Sequence, residues 1–216
     1  TYPSGRKVQL EYLVPPGSVD GARIPMEILK ESVLWIGATQ DYEYMGDTYR
    51  TITMNKSNFG GMENVGNTTI STNRIMPFED MTDNGFEYMI AVKAHEYYHN
   101  LNGSEVTGKD PFQIWLNEAV TVIIEKQYLE YLFGKDYIRL KTVLTLLAPS
   151  SGTFASDQGS SVMPILPDGF NDPNELITGV TYVKAPEFVK MIETLMGKDK
   201  FAKALDLYHR RFSHGN

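Results

Sequence analysis

The segment that decides the fold of this chain is His95-Glu96-Tyr97-Tyr98-His99 (HEYYH), which lies inside the first strongly helical stretch. Residues four apart share one face of a helix, one turn above each other, so both imidazoles can reach one metal ion. Two histidine nitrogens at this spacing are typical zinc ligands. Glu96 is offset by one residue, which places its carboxylate beside the metal, where it can accept a proton from water. We therefore predict His95 and His99 as ligands and Glu96 as the general base.

A catalytic zinc site needs three protein ligands and one open position. Glu118 is the natural third ligand, because it follows His99 after 18 residues (100–117) and lies on the next predicted helix. A turn over residues 102–110 lets the two helices pack antiparallel and returns Glu118 to the histidine pair. The sequence thus predicts one zinc ion per chain. The alternative is a solvated helix face that carries two histidines by chance.

Composition excludes several other functions. The chain has 216 residues, which suits a single domain, and 20 Lys and Arg against 27 Asp and Glu give a net charge of −7. This balance argues against nucleic acid or an anionic membrane as a partner. The absence of cysteine excludes disulfides, thiolate catalysis and cysteine-based zinc sites. No segment has the length of a membrane span and no signal peptide is visible, so we expect a cytoplasmic location. The first residue is Thr1 and not methionine, which suggests a piece of a longer protein.

Hydrophobic patterns predict a sheet-containing lobe over residues 1–76 and a helical lobe over 77–216. The first lobe has predicted strands at 7–14, 49–54 and 67–72 and a helix over 18–38. Helices are predicted in the second lobe at 86–101, 111–131, 136–147, 186–196 and 199–212. Residues 149–179 are rich in Ser, Gly, Pro and Asp, which indicates a flexible or functional segment. We expect His209 and His214 at the surface.

Three segments together resemble the aminopeptidase N family of zinc metallopeptidases, which are gluzincins. The first is HEYYH followed after 18 residues by Glu118 in WLNEA, a slightly shorter gap than in thermolysin-type endopeptidases. The second is Gly60-Gly61-Met62-Glu63-Asn64 (GGMEN), which resembles the GAMEN-type exopeptidase motif. The third is Tyr182 in TYVKAPEFVKMI, which resembles the YEKGA segment, although Val183 replaces the usual Glu and Ala185-Pro186 replaces Gly-Ala.

The resemblance implies an α+β fold, a thermolysin-like zinc peptidase domain with a small mixed sheet lobe followed by a helical lobe. It implies one catalytic domain over residues 1–216. The N-terminal β domain and the C-terminal helical domain that flank it in relatives do not fit in this length.

The resemblance also implies roles for particular residues. GGMEN would be an edge strand that faces the substrate, with Gly60, Gly61, Met62 and Asn64 lining it and Glu63 holding the free α-amino group. Tyr182 would stabilise the oxyanion through its hydroxyl. Phe59, just before the motif, would line the pocket for the first side chain. Without the zinc motif, GGMEN would be read as a turn with an exposed Glu, and Phe59 as a core residue.

The function that the sequence predicts is hydrolysis of the N-terminal residue of a peptide with a free amine, by zinc-activated water. Two alternatives stay open. The chain could be an isolated fragment that binds zinc and peptide with little turnover, because relatives borrow side chains from neighbouring domains. It could also be a zinc endopeptidase, which cleavage of an N-acetylated peptide would indicate.

Overall fold

The computed structural model describes residues 1–56, 60–158 and 163–215. These residues form two compact units, Thr1–Ser104 and Glu105–Asn216. In its described part the first unit contains a small mixed sheet, three α-helices and a short 3-10 helix at Asp20–Ala22, and the second contains helices. The predicted α+β class, with a small sheet followed by helices, is confirmed. The proposed lobe boundary at residue 76 stays a prediction, while helix 83–98 belongs to the compact unit that contains the sheet.

The sheet has strands β1 (Gln9–Leu13), β2 (Thr48–Met54), β3 (Gly61–Met62) and β4 (Asn67–Ser71), in the order β1-β2-β4-β3. β1 and β2 are parallel, as are β2 and β4, whereas β3 runs antiparallel to β4. Tyr49 and Thr51 of β2 and Thr68 and Ile70 of β4 are buried, and Tyr49 and Thr68 are joined through their hydroxyls at 2.6 Å. The short strand β3 therefore lies at the end of the described sheet, and it carries the second glycine of GGMEN.

The α-helices in the described part of the first unit are α1 (Arg23–Thr39), α2 (Thr72–Ile75) and α3 (Asp83–Tyr98). α1 packs against α3 and buries Leu29, Val33 and Ile36. α3 starts at a helix cap, because the Thr82 hydroxyl accepts a hydrogen bond from the Gly85 amide at 3.2 Å. A small cluster of Ile70, Ile75 and Val92, with Tyr12 against it, links the sheet to α2 and α3.

The second half of α3 is buried all round. Every residue from Met89 to Tyr98 is buried, whereas Phe86, expected on the apolar face, is 39% exposed. Lys93 is among the buried residues, with its Nζ 5.4 Å from the centre of the Tyr12 ring. Burial lowers the pKa of Lys93 to about 7. The histidine motif therefore sits on a helix that the protein encloses, and not on a solvated face.

The second unit contains α4 (Ile114–Phe133), α5 (Lys135–Leu147), α6 (Thr153–Ser156), α7 (Ala185–Met196) and α8 (Lys198–Phe212). Asp110 begins the α4 region, since its side chain accepts a hydrogen bond from the Phe112 amide at 3.0 Å. Glycines separate successive helices: Gly134, with φ of +95°, ends α4, and Gly197, with φ of +82°, ends α7. α4 packs against both α5 and α7.

The helices predicted in this unit are present with small shifts at their ends. Residues 149–179 contain α6 and a 3-10 turn at Pro173–Leu176 in their described part. The expectation that His209 lies at the surface is wrong, because the amphipathic helix α8 turns this side chain inward and leaves it only 7% exposed. His214 is exposed, as expected. Among the described residues, no helix has both the length and the apolar character needed to span a membrane.

Candidate active site

The two histidines of HEYYH lie side by side near the C-terminal end of α3. His95 is 8% exposed and His99 is 1% exposed. Their Nε2 atoms are 2.9 Å apart, and the ring centres are 4.5 Å apart with the rings nearly perpendicular. The helical spacing of four residues thus brings one ring nitrogen from each side chain to the same point, as the sequence predicts.

A backbone carbonyl fixes the orientation of the second ring. Nδ1 of His99 lies 2.8 Å from the carbonyl oxygen of Asn102, which can only accept a hydrogen bond. In the neutral ring Nδ1 therefore carries the proton and Nε2 carries the lone pair. Metal-binding histidines usually have such a partner on the other ring nitrogen, and it sets both tautomer and orientation. The turn after α3 thus prepares His99 to donate through Nε2.

Glu118 lies on α4 and is 5% exposed. The ligand-donating atoms of His95, His99 and Glu118 all lie within 4.8 Å of one another, so these side chains form a group that could hold a metal ion. Two imidazole nitrogens and a carboxylate oxygen are a donor set that zinc accepts, and three donors leave a fourth position open. The residues present therefore fit the cofactor that the sequence predicts.

Glu96 is buried on α3, at 6% exposed, and its carboxylate lies against strand β3. A β-carbon added at Gly61 would be only 2.0 Å from Oε1 of Glu96 and 2.6 Å from its carboxyl carbon. No side chain fits at position 61 while Glu96 keeps this position. The second glycine of GGMEN therefore lets a buried carboxylate reach the backbone of the edge strand.

The first glycine of GGMEN is approached by a different group. A β-carbon at Gly60 would be 2.2 Å from Nη1 of Arg74 and 3.2 Å from the hydroxyl of Tyr88. Arg74 Nη1 donates a hydrogen bond to this hydroxyl at 2.7 Å, and its guanidinium lies 5.4 Å from the centre of the Tyr88 ring. Sequence reasoning missed Arg74, since no pattern connects it with a residue 14 positions earlier.

Strand β3 contains Gly61 and Met62 of the motif and ends at Met62. Met62 is 47% exposed, Glu63 is half-buried, and the carbonyl of Asn64 accepts a hydrogen bond from the Asn67 amide at 2.8 Å in the turn to β4. The prediction for Phe59 lies outside the described residues.

Asn100, directly after HEYYH, connects the histidine helix with this turn. Its Oδ1 accepts a hydrogen bond from the Gly66 amide at 3.0 Å. Its Nδ2 donates to the carbonyls of Glu96 at 3.3 Å and Tyr97 at 3.0 Å. The side chain is buried, so one amide group ties the end of α3 to the loop that follows GGMEN. Sequence reasoning missed this link as well, although the residue adjoins the motif.

Tyr182 lies in the second unit, half-buried in a single π-helical turn, Val180–Lys184, directly before α7. π-helical turns are rare and often occur at functional sites. The hydroxyl of Thr181 donates to the Leu176 carbonyl at 2.9 Å, and Lys184 forms an ion pair with Asp157. Pro186 is tolerated in the first turn of α7. The changed residues after Tyr182 are therefore compatible with a tyrosine in the turn before the helix.

Comparison with known proteins identifies the family of this chain. The family described as "Peptidase family M1 domain" matches residues 24–216. This chain belongs to peptidase family M1. Among family M1 relatives, aminopeptidase N of Escherichia coli K12 is 34% identical over 209 residues, 96% of this chain and 24% of that protein. Aminopeptidase N of Caulobacter vibrioides is 32% identical over 209 residues, again 96% of this chain and 24% of that protein.

A solved structure shows the same fold. The crystal structure of Legionella pneumophila aminopeptidase A in complex with aspartic acid aligns with a TM-score of 0.87 and 26% identity, over 99% of this chain and 24% of that chain. The chain thus spans about a quarter of the length of these M1 relatives. The predicted resemblance to the aminopeptidase N family is confirmed.

Proposed function

We propose that this chain carries the catalytic centre of a zinc-dependent aminopeptidase. The observation that carries the proposal is the group of His95, His99 and Glu118, with a buried glutamate between the two histidines in sequence. Membership of peptidase family M1 supports peptide hydrolysis as the reaction. His95, His99 and Glu118 would hold one zinc ion per chain. Bound there, zinc would supply a Lewis acid that polarises the substrate carbonyl and makes water acidic enough to lose a proton near neutral pH.

Glu96 is the general base in this proposal. It takes the proton of the attacking water and then passes it to the departing amine. Its burial and its contact with the Gly61 backbone support this role, because a carboxylate held against the edge strand meets a substrate that lies along that strand. Burial also excludes bulk water from the proton that is transferred.

The GGMEN segment binds the substrate backbone. Strand β3 is at the end of the described sheet, and an extended peptide can add to such an edge through main-chain hydrogen bonds. Gly60 and Gly61 leave room for close approach, while Met62 and Asn64 flank them. Glu63 follows directly after β3, two residues past Gly61, where the Glu96 carboxylate lies against the backbone. Glu63 can then hold the free α-ammonium group of the peptide.

Tyr182 completes the proposal by donating its hydroxyl to the carbonyl oxygen as negative charge develops there. The π-helical turn and the hydrogen bond from Thr181 to Leu176 support a fixed backbone at Tyr182. Phe59 would line the pocket for the first side chain, a role that rests on the resemblance of the sequence to the family.

Metal analysis combined with a panel of aminoacyl-coumarin substrates tests the proposal. We expect one zinc ion per chain and release of the fluorophore from at least one unblocked amino acid, abolished by a chelator and restored by zinc. A chain that binds zinc but hydrolyses none of the panel contradicts turnover by this chain and favours a binding fragment.

A further inference from the structure

We infer that Arg74 binds a carboxylate of the substrate on the C-terminal side of the scissile bond. The enzyme would then prefer peptides with a negative charge just after that bond. The inference rests on the proposed function for the direction of the substrate. It concerns a residue that neither HEYYH nor GGMEN contains.

The geometry places Arg74 directly at the substrate strand. Only a glycine fits at position 60, because a β-carbon there would be 2.2 Å from Arg74 Nη1. The guanidinium is held by Tyr88, through a 2.7 Å hydrogen bond to the hydroxyl and through contact with the ring face. A peptide that adds to the edge beside GGMEN therefore passes a cationic group that Tyr88 contacts.

The order of groups along the strand gives the side of the scissile bond. Arg74 lies beside Gly60, Glu96 lies beside Gly61, and Glu63 comes two residues later. With the α-ammonium at Glu63 and bond cleavage at Glu96, the rest of the peptide runs towards Gly60. Three residues of extended chain cover about 10 Å, and neighbouring β-carbons of a strand point to opposite faces. The guanidinium, on the face opposite Glu96, therefore meets the second or third residue of the peptide where a side chain or the C-terminus turns to that face.

The chemistry of the group favours a carboxylate. A guanidinium presents several N–H donors in one plane, and Arg74 uses Nη1 for Tyr88, which leaves donors for a planar anion. Both Arg74 and Tyr88 are exposed. Within residues 1–56, 60–158 and 163–215, no carboxylate forms an ion pair with Arg74. An acidic side chain at the second residue, or the C-terminal carboxylate of a tripeptide, supplies the same group.

Three tripeptides separate these two sources: Leu-Asn-Ala-amide, which lacks a carboxylate, Leu-Asp-Ala-amide, with a side-chain carboxylate, and Leu-Asn-Ala with a free C-terminus. For wild type we expect kcat/KM on at least one acidic peptide to exceed that on the neutral amide by about tenfold, the size of one charge-assisted hydrogen bond. In Arg74→Gln this ratio should fall to about one. The acidic peptide that shows the preference identifies the source.

Arg23→Gln is the matched control, because Arg23 is an exposed arginine at the start of α1 and its loss changes the net charge equally. It should keep the wild-type ratio. Thermal unfolding of both variants checks that each is folded. Equal ratios in wild type and Arg74→Gln overturn the inference, as does a ratio that Arg23→Gln lowers to the same extent.

The neutral amide separates this inference from the proposed function. If wild type does not cleave the neutral amide or any acidic peptide, the proposed function fails. Calorimetric titration of the same three peptides then decides about Arg74. We expect tighter binding of an acidic peptide to wild type and no such difference in Arg74→Gln, and equal affinities in wild type overturn the inference.

Discussion

The carboxylate of Glu96 and the backbone of Gly61 are in such close contact that a β-carbon at Gly61 would be 2.0 Å from Glu96 Oε1. One residue is in the middle of the histidine motif and the other in GGMEN, 35 positions earlier. The contact joins the proposed base to the proposed substrate strand. It also explains why a glycine suits the second position of this motif in this chain.

Gly61→Ala should displace the Glu96 carboxylate and lower kcat about three- to tenfold. The obstructing atoms are at the end of a flexible side chain, so the carboxylate turns away and the fold stays intact. Steady-state kinetics measures the effect, with metal content as a check. Gly169→Ala is the control, because a β-carbon there meets nothing within 4 Å. Unchanged kcat in Gly61→Ala would show that the contact does not position the base.

Glu96→Gln should keep the metal and lose activity by about 10²–10⁴-fold, the usual contribution of a general base. The amide has nearly the same size as the carboxylate but cannot accept the proton of water. Metal content and kcat are measured on the same sample. Loss of the metal would make Glu96 a ligand and would contradict the division of roles.

Glu118→Ala should weaken metal binding by at least about tenfold without unfolding the chain, because it removes one of three donors. Competition with a chelator of known affinity gives the change. Glu130→Ala, on the same helix α4 three turns later, is the matched control and should retain wild-type affinity. Equal affinities for wild type and Glu118→Ala would exclude Glu118 from the ligand set.

His209 should make the fold sensitive to acid. Burial lowers its pKa from 6.5 to about 4, so below pH 6.5 the unfolded chain binds a proton that the folded chain does not. Its contribution to stability is complete above pH 6.5 and is lost as the pH falls to about 4, on the order of 1–3 kcal/mol. Denaturant unfolding of the chelator-treated protein between pH 7 and 4 should show a shallower loss in His209→Gln than in His214→Gln, which changes an exposed histidine. Parallel curves would contradict this account.

Local patterns predicted much of the fold and the meeting of the two histidine rings. The spacing of HEYYH places two ring nitrogens at one point, and Asp110-Pro111 begins the next helical region, because both effects act within one or two helical turns. Contacts between distant segments could not be predicted in this way. Arg74 reaches Gly60 and Asn100 binds the amide of Gly66 only after the sheet and α3 have assembled.

The sequence pattern alone does not determine which side chains of a helix become buried. The expectation for His209 was wrong because the sequence pattern alone does not say which face of the amphipathic helix α8 the rest of the protein covers. The lobe limits, the cytoplasmic location, the lack of a nucleic-acid partner and the role of Phe59 stay predictions.

The central claim is that Glu63 holds the free amine of a peptide whose first bond is cleaved at the zinc group. Hydrolysis of one peptide with a free and with an acetylated N-terminus, by wild type and Glu63→Ala, tests it most directly, with products identified by mass spectrometry. We predict that wild type releases the first residue of the free peptide and that acetylation or Glu63→Ala each lowers kcat/KM at least about tenfold. Acetylation should lower kcat/KM of Glu63→Ala only slightly, since the interaction between residue 63 and the free amine is already lost. Equal cleavage of both peptides by wild type, or products cut at internal bonds, would contradict the claim and identify an endopeptidase.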